Sequence, residues 1–382
     1  MRYFVLLSLL IASGCSSVSL NPLDWFGSKD SGPKMAELTE LRSAIPVRLL
    51  WQVNVGAAGN GAFSPAVAAG SVFAAAQNGT VIRMETSGRQ LWHVSVGTPL
   101  SGGVGADSSI VVVGTAEGEV IALDGASGEM RWRARVSSEV LSAPVVAGDV
   151  VIVRAADSRI FALDARDGKR RWAYQRATPA LSIRTPVGIV VTHGLVLAGF
   201  SGGKLVALAL SNGGLRWEAT VALPRGATEL ERVADVVGLP WVTEREVCAV
   251  AYQGRVACFD LANGNPLWTR AMSSATGLDA DARLLFVSDE KGSVHALDRS
   301  GGSSVWTQDR LFRRGLTAPL ALGRQVAVGD IQGYVHILAR DDGSFVGRTA
   351  TDGSPILANP VRLEGGFLVQ TRNGGLYALS TQ

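Results

Sequence analysis

Eight segments of alternating apolar and polar residues, each opened by a small turn residue, recur along this chain. They begin at Gly79, Gly118, Ser158, Gly203, Gly254, Gly292, Gly333 and Gly374. Val120-Ile121-Ala122-Leu123-Asp124 shows the pattern, which at this length reads as a β-strand. Upstream of most copies lie two further apolar stretches, such as Ala143 to Val146 and Asp149 to Arg154. Downstream, an Asp-x-x-x-Gly turn leads to a strand carrying tryptophan. Asp124 with Gly128, and Asp164 with Gly168, suit a tight hairpin, because aspartate bonds nearby backbone N–H groups and glycine supplies a positive φ.

Trp51, Trp92, Trp132, Trp172, Trp217, Trp268 and Trp306 mark these outer strands at intervals of 41, 40, 40, 45, 51 and 38 residues. A period near 40 with four strands per repeat predicts an all-β chain, an eight-bladed β-propeller of four-stranded antiparallel blades. The eighth copy ends with the chain and has no outer strand, whereas Leu49 to Val55 is an outer strand with no blade before it. The N-terminal strand is therefore expected to close the last blade, which removes an exposed sheet edge. The tryptophans are read as packing between blades, each indole N–H reaching a backbone carbonyl. Gly347 stands where the seventh blade should carry one.

Composition adds an address. Apolar residues make up 47% of the chain and charged residues 18%, with 45 glycines, which is ample core material for many tight turns. The formal charge is +3, yet no basic block or basic-aromatic stripe accompanies it, so nucleic acid is not an expected partner. Arg2 followed by the apolar run Tyr3 to Ala12 reads as an export signal, too short to span a bilayer. The sequence then runs Ala12-Ser13-Gly14-Cys15, which resembles a bacterial lipobox. On that likeness residues 1–14 are a lipoprotein signal and Cys15 is the lipidated N-terminus. Ser16 after it implies sorting to the outer membrane, facing the periplasm. An ordinary signal peptide cleaved near Gly14 is the alternative. Residues 15–46 read as a flexible tether, with Trp25-Phe26 as an aromatic pair able to dock, and 47–382 as the propeller. Cys248 and Cys258 flank the turn Tyr252-Gln253-Gly254 and stand opposite or nearly opposite on a hairpin. An oxidising periplasm permits a disulfide. Cross-strand geometry is often strained, and the two are read instead as small buried residues.

Catalytic motifs do not assemble. Gly199-Phe200-Ser201-Gly202-Gly203 matches G-x-S-x-G, but it occupies the ordinary turn between the second and third strands rather than a strand–elbow–helix. His295 and His336 share one repeat position in adjacent blades, where other copies hold varied residues. No Cys/His cluster has zinc spacing, and the Asp-x-x-x-Gly turns lack the further acidic ligands of a calcium loop. The repeat resembles the pyrroloquinoline-quinone type of propeller found in quinoprotein dehydrogenases. The adjacent cysteines and calcium-binding acidic set of those enzymes are not evident here. No cofactor or enzyme activity is expected, with a periplasmic quinone-dependent oxidoreductase as the competing reading.

Irregular spacing points to loops. The link into blade five exceeds its counterpart by about 11 residues, roughly 224–237, and the link into blade four is two residues longer than the reference. Both join an outer strand to an inner one, so they emerge on one face from adjacent blades. Lipobox, tether, eight blades and these loops together resemble the BamB family, lipoproteins of the outer-membrane β-barrel assembly machinery. The matching segments are Leu181-Ser182-Ile183-Arg184 and Glu229-Leu230-Glu231-Arg232-Val233-Ala234-Asp235-Val236. The resemblance implies a non-enzymatic scaffold binding POTRA repeats of the barrel-forming subunit BamA through Leu181, Ile183, Arg184 and Asp235. Unfolded outer-membrane proteins are a further possible partner, captured by strand addition. A second aspartate of that pattern is Val237 here. Apolar anchors beside an arginine also suit an interface hot spot. Alternatively, the loop packs back on its blade with Arg184 paired to Asp235 or a nearby glutamate.

Overall fold

The structure, a computed structural model, describes residues 34–381 apart from 42, 43, 60, 62, 178 and 180. Among the described residues there are eight four-stranded antiparallel sheets and no helix. Their innermost strands touch in sequence around a ring, and Ala66–Ala68 of blade one meets Val361–Leu363 of blade eight. Blade eight is completed by the N-terminal strand Arg48–Asn54 pairing antiparallel with Gly375–Ser380. The eight-bladed propeller closed by its N-terminal strand is thus the observed fold.

Burial explains the sequence pattern strand by strand. Second strands such as Ile110–Gly114 and Leu284–Ser288 are buried at every residue, because neighbouring blades cover both faces. Outer strands such as Met130–Arg135 face solvent on one side and bury little beyond their tryptophan.

Each tryptophan docks on the following blade. The seven indole N–H groups donate to Thr86, Gly125, Ala165, Leu210, Leu261, Arg299 and Arg340 carbonyls at 2.7–3.1 Å. Under each ring lies the glycine of that blade's outer hairpin. At Gly168, for example, φ is +72° and a Cβ would meet the Trp132 ring at 2.6 Å. Blade eight has no such hairpin, because its third and fourth strands come from opposite chain ends. A tryptophan at Gly347 would have no turn to dock on, and Ile45 and Val47 pack there instead.

Two expectations are corrected. The stretch read as tether docks on the propeller through Ala36, Leu38, Thr39 and Ile45. Ala36 N–H donates to Phe312 O at 3.0 Å and Ile45 N–H to Val346 O at 2.7 Å, while Leu38 packs beside Trp306 and Phe345. Arg314 and Arg348 donate to the Ala36 and Thr39 carbonyls at 3.0 and 2.9 Å. Cys248 and Cys258 are both buried, as expected, but they form a disulfide: they are direct cross-strand partners with Cα atoms 4.0 Å apart. The signal segment, Cys15 and Trp25-Phe26 lie outside the described residues.

Candidate functional site

The two irregular links do adjoin. Leu181 to Arg184 lies in the link into blade four, and Val187 forms a parallel bridge with Gly238 of blade five's inner strand, Val236–Val242. Asp235 ends the insertion and turns inward, 3% exposed. Its carboxylate accepts Ile183 N–H at 2.7 Å and Gly202 N–H at 3.2 Å. One aspartate therefore fixes the blade-four link and the Ser201 turn from beneath.

What this platform presents is mixed. Leu181 is 43% exposed. Ile183 is half-buried against the cluster holding Val237 and Leu278. Arg184 extends into solvent and pairs with Glu139 of the link into blade three at 2.6 Å, not with Asp235. The strand of blade five already begins at Val236, so the insertion ends two residues earlier than the sequence suggested. Val237 is buried between blades five and six, where a carboxylate would lack water.

Sequence reasoning missed the shape of the insertion. Glu231 accepts Ala227 N–H at 2.7 Å and Thr228 N–H at 3.0 Å, and Thr228 Oγ1 accepts Glu231 N–H at 3.2 Å. This reciprocal arrangement is a capping box, and the backbone bonds hold the Glu231 carboxyl below its usual range. The Thr228-x-x-Glu231 spacing was its available signal. The resulting turn exposes Leu230 at 72%. Leu223 and Leu239 add exposed apolar surface nearby in the chain.

Beneath the blade-four link is a cavity of about 240 Å³ lined by Arg154, Ser158, Ser182, Ile183, Ser201 and Asp235, among others. Arg154 is 9% exposed. Its guanidinium lies 4.8 Å from the Phe200 ring centroid and donates to Gly199 O. Burial, opposed in part by Asp235, pushes its pKa down to about 10, so it stays cationic at neutral pH.

The other chemical candidates lie in separate blades. Ser201 sits in a strand-to-strand turn. His295 contacts Asp289 at 2.9 Å and Thr307 at 3.1 Å. His336, fully buried, contacts Asp330 at 2.9 Å and accepts from Arg348 at 3.2 Å. Among the described residues no three His, Cys, Asp or Glu side chains converge as a metal site.

Comparison with known proteins agrees with this layout. A family model described as outer membrane protein assembly factor BamB matches residues 77–308. The protein of that name from Bordetella pertussis is 44% identical over 97% of this chain and 95% of its own length. The crystal structure of BamB from Moraxella catarrhalis superposes with a TM-score of 0.81 at 29% identity, covering 88% of this chain and all of that one. Quinohemoprotein alcohol dehydrogenase from Comamonas testosteroni superposes at 0.68 with 14% identity, covering 88% of this chain and 76% of that one, a likeness of fold alone.

Proposed function

The chain belongs to the BamB family of outer membrane protein assembly factors, and on that premise we propose that it is a scaffold of the barrel-assembly machinery. In this reading lipid on Cys15 holds it to the outer membrane facing the periplasm. The links into blades four and five dock POTRA repeats of BamA, which assists folding and insertion of barrel proteins. The observation that carries the reading is the blade-four link itself. An apolar side chain, Leu181, and an arginine project from a loop whose backbone is fixed by the buried Asp235. Such preorganisation spares a partner the cost of ordering the loop.

Leu181 and Ile183 supply apolar contact, Arg184 supplies charge, and Asp235 acts by holding Ile183 in place. The Arg184–Glu139 pair is exposed on the arginine side and worth little by itself, so a partner carboxylate can displace it. Leu181→Ala or Arg184→Ala should weaken BamA capture by about tenfold or more, as expected for hot-spot truncation, with unfolding unchanged. Wild-type co-purification by both variants would refute the docking role. The quinone-dependent reading is supported by fold likeness only.

A further inference from the structure

Arg154 ends the second strand of blade three at a repeat position held elsewhere by Ala75, Gly114, Gly199, Val250, Ser288, Gly329 and Gln370. What blade packing asks of a long side chain there is visible in blade eight. Gln370 Nε2 donates to Ala75 O of the next blade at 3.0 Å. Arg154 Nη1 makes the equivalent bond to Gly199 O of blade four. A neutral amide therefore does the structural work, and the positive charge of Arg154 is surplus to it.

That charge is poorly compensated. Asp235 acts on Arg154 electrostatically but forms no ion pair with it within 4.0 Å. The Asp235 oxygens accept backbone N–H groups instead. The cavity in front of the guanidinium also receives Ser158 and Ser201, both buried, whose hydroxyls no described residue engages. A guanidinium with spare donors and two idle hydroxyls, all facing one cavity, form a donor set matched to an anionic acceptor. At about 240 Å³ the cavity is several times the ~30 Å³ of a water molecule. Its wall includes the exposed residues Ser182 and Arg184, so it reaches the surface at the proposed docking loop.

We propose that this cavity is a carboxylate pocket that takes an Asp or Glu side chain of the protein docking on loop 181–184. Arg154 and the hydroxyls of Ser158 and Ser201 are its donors. The inference rests on the docking role given above. Charge-assisted bonds in a partly enclosed pocket are strong and directional. The pocket would thus select among acidic partners, where the exposed leucines alone cannot.

The test uses the full mature chain with the POTRA repeats of BamA. Arg154→Gln keeps the bond that Gln370 makes but removes the charge, so its thermal midpoint should match or exceed wild type. Its affinity for the repeats should fall by about 30-fold or more, as when one member of a buried charged pair is removed. Neutralising the acidic residues of the repeats one at a time should identify a single position. Its loss should weaken wild type and leave Arg154→Gln unaffected. A partner-free arm titrates acetate and follows the amide resonances of Ser158 and Ser201, which should shift in wild type and not in Arg154→Gln.

Unchanged affinity in Arg154→Gln overturns the proposal, and so do equal acetate shifts in both proteins. Loss of the acetate response with partner affinity intact would mean that the pocket takes a free small carboxylate, and the proposed occupant is wrong. If wild type itself fails to bind the repeats, the docking reading falls, and acetate still decides the pocket. Should Arg154→Gln fold poorly, Ser201→Ala serves: it leaves the guanidinium in place and should reduce both responses.

Discussion

Asp235 is an acidic side chain turned inward at a surface otherwise suited to docking, and its contribution is best measured through what it holds. Replacing it with alanine strands the Ile183 and Gly202 N–H groups, which it now accepts. Leaving buried donors unmet costs about 1–3 kcal/mol. Asp235→Ala should therefore lower urea stability by that amount and speed amide exchange at Ile183. Unchanged exchange there would show that the loop is held by other means. His336 offers a second test at this scale. Burial lowers its pKa, opposed in part by Asp330, so the folded protein favours the neutral ring. Burial alone would raise Asp330, but bonds from His336, Tyr334 N–H and Arg314 outweigh it and hold that carboxyl low. Because the folded His336 pKa lies below the unfolded value of 6.5, its contribution is fully present above that pH. It is lost as the pH falls below 6.5, until the folded pKa is reached. The slope is at most about 1.4 kcal/mol per pH unit. His336→Gln should flatten stability in that window; an unchanged slope in urea titrations would exclude this histidine as its source.

Among the strands and turns, the recurring unit is a tryptophan resting on the next blade's glycine. Gly168 and Gly148 separate its two demands. Both have positive φ, +72° and +64°, but a Cβ at Gly168 would strike the Trp132 ring, whereas nothing lies within 4 Å of one at Gly148. Gly148→Ala should cost about 1 kcal/mol, the penalty for a left-handed alanine. Gly168→Ala should cost roughly 1–3 kcal/mol more, because it also overpacks a fitted contact. Comparable unfolding midpoints for the two variants would mean that the ring moves aside freely. Its two parts were legible in the sequence as Asp-x-x-x-Gly-x-x-x-Trp, but each tryptophan rests on the glycine of the next copy, and that contact only the ring decides. The missing tryptophan at Gly347 was legible only as an exception, since its reason is an absent hairpin in the following blade. The capped turn of residues 227–232 was half legible: its Thr-x-x-Glu spacing is local, but the exposure of Leu230 depends on what surrounds it.

For the molecule as a whole, closure joins chain ends more than three hundred residues apart. Arg48–Asn54 completes blade eight and brings Trp51 onto blade one. Ahead of it, Leu38, Ile45 and Val47 pack along blades six to eight, and Arg314 and Arg348 hold the Ala36 and Thr39 carbonyls. Deleting the chain through Val47 should cost about 2–4 kcal/mol, the scale of three partly buried apolar side chains, and leave a cooperative melt. Deleting through Asn54 should abolish cooperative melting, because it removes a blade strand and an interblade tryptophan together. If both truncations melt alike by circular dichroism, the N-terminal strand is not what closes the ring.

The sequence by itself determined the number of blades, their strand order, the closing role of the N-terminal strand and the position of the irregular loops. All of these follow from short-range alternation, turn residues and repeat spacing, which act within a few residues of one another. Only the tertiary structure decided which polar groups meet. Asp235 faces Ile183 rather than solvent, Arg184 pairs with Glu139, and Arg154 looks into a cavity. Arg314 grips Ala36 across 278 positions, and Cys248 and Cys258 stand in direct register rather than near it. Such pairings depend on which blades become neighbours and how far their links reach. A periodic pattern specifies the first, and only the packed chain specifies the second.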